Sequence, residues 1–224
     1  MTDRIAEVRR RIDEAAKRVA AEEVTLIAVS KTKPVEAIME AQACGVTEFG
    51  ENYVNEALAK HEALAGTPFH LHFIGHLQSN KAGHIVPVAC LIHSVDSLHL
   101  AAVIDKQARK AGITSSVLLE VNISGEDSKF GFQPDRVLDA AKRLADECPG
   151  LKICGLMGMA PFLEDPEDTR PYFASLKKLF DALDPSQQIY LSMGMSGDYV
   201  QAIEEGSNMV RVGTAIFGNR DYNK

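Results

Sequence analysis

The chain has 224 residues, 46% of them apolar and 25% charged, and its 24 Lys+Arg against 31 Asp+Glu give a formal net charge of -7. That balance is ordinary for a globular protein and excludes a disordered or collagen-like chain, while the acidity argues against general nucleic-acid binding, which needs a basic field. The longest apolar runs, such as 24–29, are far too short to cross a bilayer, and the charged amino terminus lacks an apolar signal core, so a cytoplasmic protein with no membrane partner is expected.

Residues 3–20 place Ile5, Val8, Ile12 and Val19 on one helical face. The segment 24–31 (VTLIAVSK) then reads as a buried strand, β-branched and nearly free of charge until Lys31. Pro34 suits a helix start and Gly45 a stop. A short strand over 48–53 is followed by a helix to about Leu64, and a third strand over 70–76 (HLHFIGH) by a helix from near Ser79. The fourth strand, 91–96, leads into a helix from Ser97 to a capping Gly112, and the fifth, 116–123, into one opened by Pro134, with Val137, Leu138, Ala141, Leu144 and Ala145 inward. The sixth, 153–159, precedes a helix capped by Asp165-Pro166, whose Phe173, Leu176, Phe180 and Leu183 share a face. Segments 189–195 (IYLSMGM) and 209–217 (MVRVGTAIF) complete eight strands. This alternation predicts an α/β protein of one domain over 1–224, a leading helix over 1–22 and a (β/α)8 TIM barrel over 24–220. A doubly wound open sheet is the alternative, disfavoured because no G-x-G-x-x-G or G-x-x-x-x-G-K-[ST] loop follows a strand.

The active site of such a barrel lies at the carboxyl ends of its strands. Those ends carry Lys31, Asn52, His76, Asp96, Asn122, residues 157–159, 193–196 and 211–214. Lys31 has the parity of Ile27 and Val29, so if these face the barrel interior it does too, and a lysine in a low-dielectric pocket keeps more free amine for attack on a carbonyl. The turns after strands seven and eight, Ser192 to Asp198 and Arg211 to Thr214, are rich in Gly and Ser and favour phosphate binding. Arg211, between two valines, needs an acceptor, either a carboxylate such as Glu120 or a ligand ring nitrogen. Cys44, Cys90, Cys148 and Cys154 form no C-x-x-C pair, which fits free buried thiols and disfavours a zinc site or disulfide framework.

An amine at strand one, a phosphate cradle at strands seven and eight and an arginine between them suggest pyridoxal 5′-phosphate. The segments AVSKTKP (28–34), FGENYVNE (49–56), HFIGHLQSNK (72–81), VNISGEDSKFGF (121–132), GLMGMAP (155–161), LSMGMSGDY (191–199) and VRVGTAIFGNR (210–220) resemble the pyridoxal phosphate homeostasis proteins, relatives of the alanine racemase amino-terminal barrel. The resemblance implies a fold-type III barrel holding the cofactor as a Schiff base on Lys31, phosphate contacts from Ser192 or Ser196 and from Gly213 and Thr214, Arg211 near the pyridine nitrogen and Asn52 lining the cofactor. Met193 is expected as a core or cofactor-packing residue. Lys33, Lys81 and Lys129 also lie in matching segments, each with a plain reading as a solvated or helix-capping lysine.

Three functions compete. A carrier or regulator would bind the cofactor reversibly and limit its free aldehyde, with pyridoxal-phosphate-dependent apo-enzymes as candidate partners. An amino-acid racemase or decarboxylase would turn substrates over, but an arginine at the pyridine nitrogen weakens the ring as an electron sink. A barrel racemase would also need a second base from a carboxy-terminal β domain, for which no sequence follows Lys224; the lack of that dimerising domain, with the resemblance, implies a monomer. A metal-dependent hydrolase would use the H-x-H of His70 and His72 with His76, but His70 starts its strand and falls toward the wrong end. The carrier reading is favoured, with no metal.

Overall fold

The computed structural model describes residues 1–21, 23–126 and 129–218. Its eight parallel strands are β1 (Thr25–Val29), β2 (Glu48–Glu51), β3 (His70–Phe73), β4 (Leu91–Val95), β5 (Ser115–Val121), β6 (Leu151–Gly158), β7 (Tyr190–Ser192) and β8 (Met209–Val212). They pair in chain order, and β8 closes onto β1 through Thr25 beside Met209 and Ala28 beside Val212, making a closed barrel. Around it run α2 (Val35–Ala43), α3 (Val54–Ala63), α4 (Ala82–Ile85), α5 (Leu98–Ala111), α6 (Val137–Glu147), α7 (Arg170–Asp181), α8 (Tyr199–Glu204) and α9 (Thr214–Phe217), preceded by α1 (Thr2–Arg18). Among the described residues no helix is long and apolar enough to cross a membrane. Residue 22 of the expected leading helix and residues 219–220 of the expected barrel lie outside the described residues.

Strand parity divides the core. Outward-facing Ala28, Phe49, Leu71, Phe73 and Ile92 pack with helix residues such as Ile38, Ile104 and Phe173 into the larger cluster. Each of the larger of these side chains contributes roughly 1.5–3 kcal/mol on burial, so this outer layer supplies most of the hydrophobic stabilisation. Inward-facing Ile27, Leu91, Leu118, Cys154, Met157 and Met209 form a smaller plug. Leu91 and Met209 begin their strands and Met157 lies near the end of its own, so the plug fills part of the barrel interior beneath the polar carboxyl mouth.

Several expected boundaries shift for identifiable reasons. The expected strand over 209–217 stops at Val212, and its last part is α9, because the Gly213 and Ala215 N–H groups turn toward Ser196 Oγ at 3.1 and 3.4 Å rather than into a ladder. β1 stops at Val29, and Lys31 belongs to a turn in which Thr32 takes φ +62°. Pro134 precedes α6 without starting it, and Asp165 caps a 3-10 turn, Pro166–Thr169, that leads into α7.

Candidate ligand site at the carboxyl ends of the strands

Lys31 is fixed through its neighbours. Ser30 is wholly buried, its N–H donates to Gly50 O at 3.0 Å, and its hydroxyl donates to Glu51 Oε1 at 2.6 Å. The buried Lys60 ammonium, reaching up from α3, donates to Ser30 O at 2.8 Å, Glu51 Oε1 at 2.7 Å and Glu56 Oε2 at 3.2 Å. Glu56 Oε2 in turn accepts the Thr32 N–H at 2.8 Å. Both residues flanking Lys31 are therefore tied to one buried network, which holds Thr32 in a left-handed conformation that a β-branched residue avoids unless its surroundings impose it. Burial pushes the Glu51 carboxyl above its ordinary range, opposed by the Lys60 charge.

Above this loop lies a cavity of about 250 Å³, near the lower end of the range of roughly 300–1,000 Å³ for small-molecule sites. Its polar lining is Lys31, Asn52, Ser196, Arg211 and Thr214 with the backbone of Gly213, and its apolar walls include Val29, Ile74, Met159 and Met195. Six positions named from sequence, Lys31, Asn52, Ser196, Arg211, Gly213 and Thr214, lie on this lining, and Gly197, not singled out there, joins them. The sequence reading also expected Ser192 and Met193, which do not line the cavity. Ser192 is wholly buried beneath Arg211, and Met193, one residue on and of opposite parity, packs into the outer core.

Arg211 is 4% exposed; its Nη1 donates to Ser192 Oγ at 2.6 Å and its Nη2 to Gly158 O at 3.1 Å. Burial lowers the guanidinium to about 10, against the favourable charges of Asp198 and Glu120, so it stays cationic at neutral pH. Of the two acceptors considered from sequence, Glu120 forms no ion pair with it among the described residues. Burial instead raises the Glu120 carboxyl to about 7, with Asp96 adding repulsion and Arg211 opposing. A folded-state value above the unfolded one means that ionising Glu120 costs stability as pH rises from about 4.5 through 7. The substitution Glu120→Gln should therefore stabilise the cofactor-free protein by up to about 3 kcal/mol above pH 7 and by little below pH 4.5. Urea unfolding across that pH range checks it, and a gain independent of pH would contradict the assignment.

Two glycines bring the remaining walls into place. A Cβ at Gly75 would lie 2.2 Å from Asn52 O, so only glycine lets the chain after β3 press against Asn52. Gly194 has φ +91°, and a Cβ there would lie 2.6 Å from Ala202 Cβ; it starts a loop that Asp198 Oδ1 closes by accepting the Met195 N–H at 2.6 Å. Ser196 on this loop accepts from Gly213 and Ala215 N–H, which leaves its own O–H as a donor. Asn52 Oδ1 is buried and meets no partner among the described residues. An amine, a guanidinium, an unspent amide oxygen and a hydroxyl-and-backbone donor cluster suit an aldehyde-bearing, phosphorylated aromatic ring.

Other expected positions lie elsewhere. His76 pairs with Asp96 at 3.2 Å and stacks on Phe130, and Asn122 braces its own loop through Ser124, Gly125 and Glu126. Lys33 donates to Phe217 O at 3.3 Å, and Lys129 lines a neighbouring depression with His76. At the opposite, amino-terminal mouth, Glu48, His72 and Cys90 bring ligand atoms within 4.8 Å of one another, a grouping able to hold a metal ion. His76 is not part of it.

The family model for the alanine racemase N-terminal domain matches residues 4–221. The chain is 43% identical over 225 residues to the pyridoxal phosphate homeostasis protein of Aquifex aeolicus (strain VF5), covering 98% of each. The structure of PipY of Synechococcus elongatus PCC7942 without PLP superposes with a TM-score of 0.87 at 36% identity, covering 97% of this chain and 100% of that one. PipY with PLP bound gives 0.82 at 35% identity, covering 97% and 99%. With the barrel, the lysine turn and the two donor-rich loops all in place, the chain belongs to the alanine racemase N-terminal domain family and, within it, to the pyridoxal phosphate homeostasis proteins.

Proposed function

We propose that the protein is a cytoplasmic carrier that binds pyridoxal 5′-phosphate reversibly at the carboxyl mouth of the barrel and takes part in its homeostasis without turning over a substrate. The observation that carries this reading is the convergence of Lys31, Arg211, Asn52 and the Ser196–Gly213–Thr214 donors on one cavity; the PLP-bound PipY relative and the names of the curated relatives support it. Bound there, the group supplies an aldehyde that a primary amine captures as a Schiff base. Lys31 provides that amine, Ser196, Thr214 and the Gly213 backbone hold the phosphate, and Arg211 faces the ring as a permanent donor. A guanidinium does not hand over its proton near neutral pH, so it keeps the ring nitrogen unprotonated and a poor sink for carbanion electrons.

The titratable side chains lining the cavity, among the described residues, are Lys31 and Arg211. Racemization needs a second proton carrier on the far face, and the lining offers no carboxylate, imidazole, phenol or thiol for it. Cofactor-loaded protein incubated with L-alanine should accordingly yield no D-alanine beyond background, while dialysis against a small amine should strip its near-visible absorbance. Arg211→Gln should weaken cofactor affinity and Arg109→Gln, on the surface, should not. Steady D-alanine production would replace the carrier by an enzyme, and equal effects at 211 and 109 would remove Arg211 from the site.

A further inference from the structure

We propose that a one-way chain of hydrogen bonds through the barrel interior, from Arg211 through Ser192, His93 and His72 to Glu48, positions the site's arginine from the opposite end of the barrel. The chain deepens the ligand-site reading above, although its internal order rests on the protein alone.

Four contacts define it. Arg211 Nη1 lies 2.6 Å from Ser192 Oγ, Ser192 Oγ 3.1 Å from His93 Nδ1, His93 Nε2 3.0 Å from His72 Nδ1, and His72 Nε2 2.7 Å from Glu48 Oε2. Ser192 and His93 are wholly buried, and Arg211 and His72 are each 4% exposed. Strand parity assembles them: each side chain points inward from its strand, from β8, β7, β4, β3 and β2 in turn.

The direction follows from which atoms can donate. Arginine only donates, so Ser192 Oγ accepts from Arg211 and must spend its own hydrogen elsewhere. Its remaining partner is His93 Nδ1, which therefore carries a lone pair, and a neutral His93 then holds its hydrogen on Nε2. Accepting at Nδ1 and wholly buried, His93 is neutral. His93 Nε2–H donates to His72 Nδ1, and His72 Nε2–H donates to the Glu48 carboxylate. Burial pushes Glu48 upward, but hydrogen bonds from His72 and His70 outweigh it and hold the carboxyl at about 2.

Read from the arginine downward, every group donates to the next, and the series ends on an anion. Hydrogen bonds in such a series polarise one another, so the terminal carboxylate strengthens the grip on Arg211 Nη1. The arginine is thereby locked in one rotamer, and its N–H groups not used on Ser192 and Gly158 are left to the cavity. Ser192 acts here as a positioning residue, which explains its absence from the cavity wall.

The decisive test is nitrogen-15 NMR of the imidazoles in cofactor-free protein above the ordinary histidine pKa, assigned by single His→Gln substitutions. The chain requires the Nε2–H tautomer at both His93 and His72. An Nδ1–H tautomer at His93, or an imidazolium at His72, reverses the direction and overturns the proposal, whatever the protein binds. A second arm compares Glu48→Ala, Glu48→Gln and His84→Ala by cofactor titration. Losing the terminal acceptor should raise the cofactor dissociation constant about fivefold and shift the near-visible band. Glu48→Gln, which keeps an acceptor oxygen, should recover most of that affinity, and His84→Ala, at an exposed position off the chain, should change neither. Equal affinity and spectra in all three variants overturn the positioning role. Failure of the native protein to bind the cofactor would instead defeat the ligand-site reading and leave the tautomer result to decide the chain.

Discussion

Replacing Lys31 by Ala is expected to abolish both the near-visible absorbance of protein loaded with pyridoxal 5′-phosphate and its trapping by borohydride. Lys31 is the amine that lines the cavity. Lys33, two residues on, turns away to Phe217 O, Lys60 is spent on Ser30, Glu51 and Glu56 beneath the loop, and Lys129 lines a separate depression. The partly exposed side chain lines the cavity, and circular dichroism of the variant should separate loss of the covalent link from loss of structure. Weak residual binding through Arg211 and the donor loops should survive as a non-covalent, unreduced complex. Trapping undiminished in the variant, checked by mass spectrometry after reduction, would place the reacting amine at Lys33, Lys81 or Lys129.

The barrel and most of its mouth could be read from sequence because parallel strands buried on both faces make uninterrupted apolar runs, and the helices between them carry an apolar stripe. The parity of Ile27 and Val29 with Lys31 pointed the lysine correctly although the ladder stops at Val29, because the chain turns only after Ser30. Boundaries failed where side chains draw backbone out of the sheet. Nothing local in MVRVGTAIF announces that Ser196, seventeen residues earlier, will capture the Gly213 N–H. Met193 and Ser192 were grouped with the loop they precede, yet alternation sends one outward into the helix layer and the other inward beneath Arg211. The residues that hold the site from below were missed for a related reason. Glu56 and Lys60 show only the spacing of an ordinary helix-surface ion pair, and nothing in the sequence says that α3 turns Lys60 inward against Ser30 and Glu51. His72 read only as part of a pattern with His70 and His76, and His93 carried no signal; the contact of His72 with His93 across β3 and β4 needs the register of the closed barrel.

The same network makes the largest stability prediction. Lys60 is 6% exposed and Glu51 is wholly buried, and the ammonium satisfies Glu51, Glu56 and the Ser30 carbonyl together. Lys60→Met keeps the apolar stem and removes the charge, stranding a buried carboxylate whose Oε2 already lacks a partner among the described residues. Breaking a buried pair on one side costs about 3–5 kcal/mol, far more than the median surface ion pair. Urea unfolding of the cofactor-free variant should show that loss, and cofactor affinity should fall with it, because the turn around Lys31 loses the ties at Ser30 and Thr32. The double variant Glu51→Gln/Lys60→Met should recover most of the stability, since a neutral amide at 51 no longer needs a cation and can donate to the Ser30 carbonyl. Its affinity should recover less, because Glu56 loses the ammonium that sets it against the Thr32 N–H. A single variant costing under about 1 kcal/mol would mean that water reaches the pair and that the turn holding Lys31 is braced by something else.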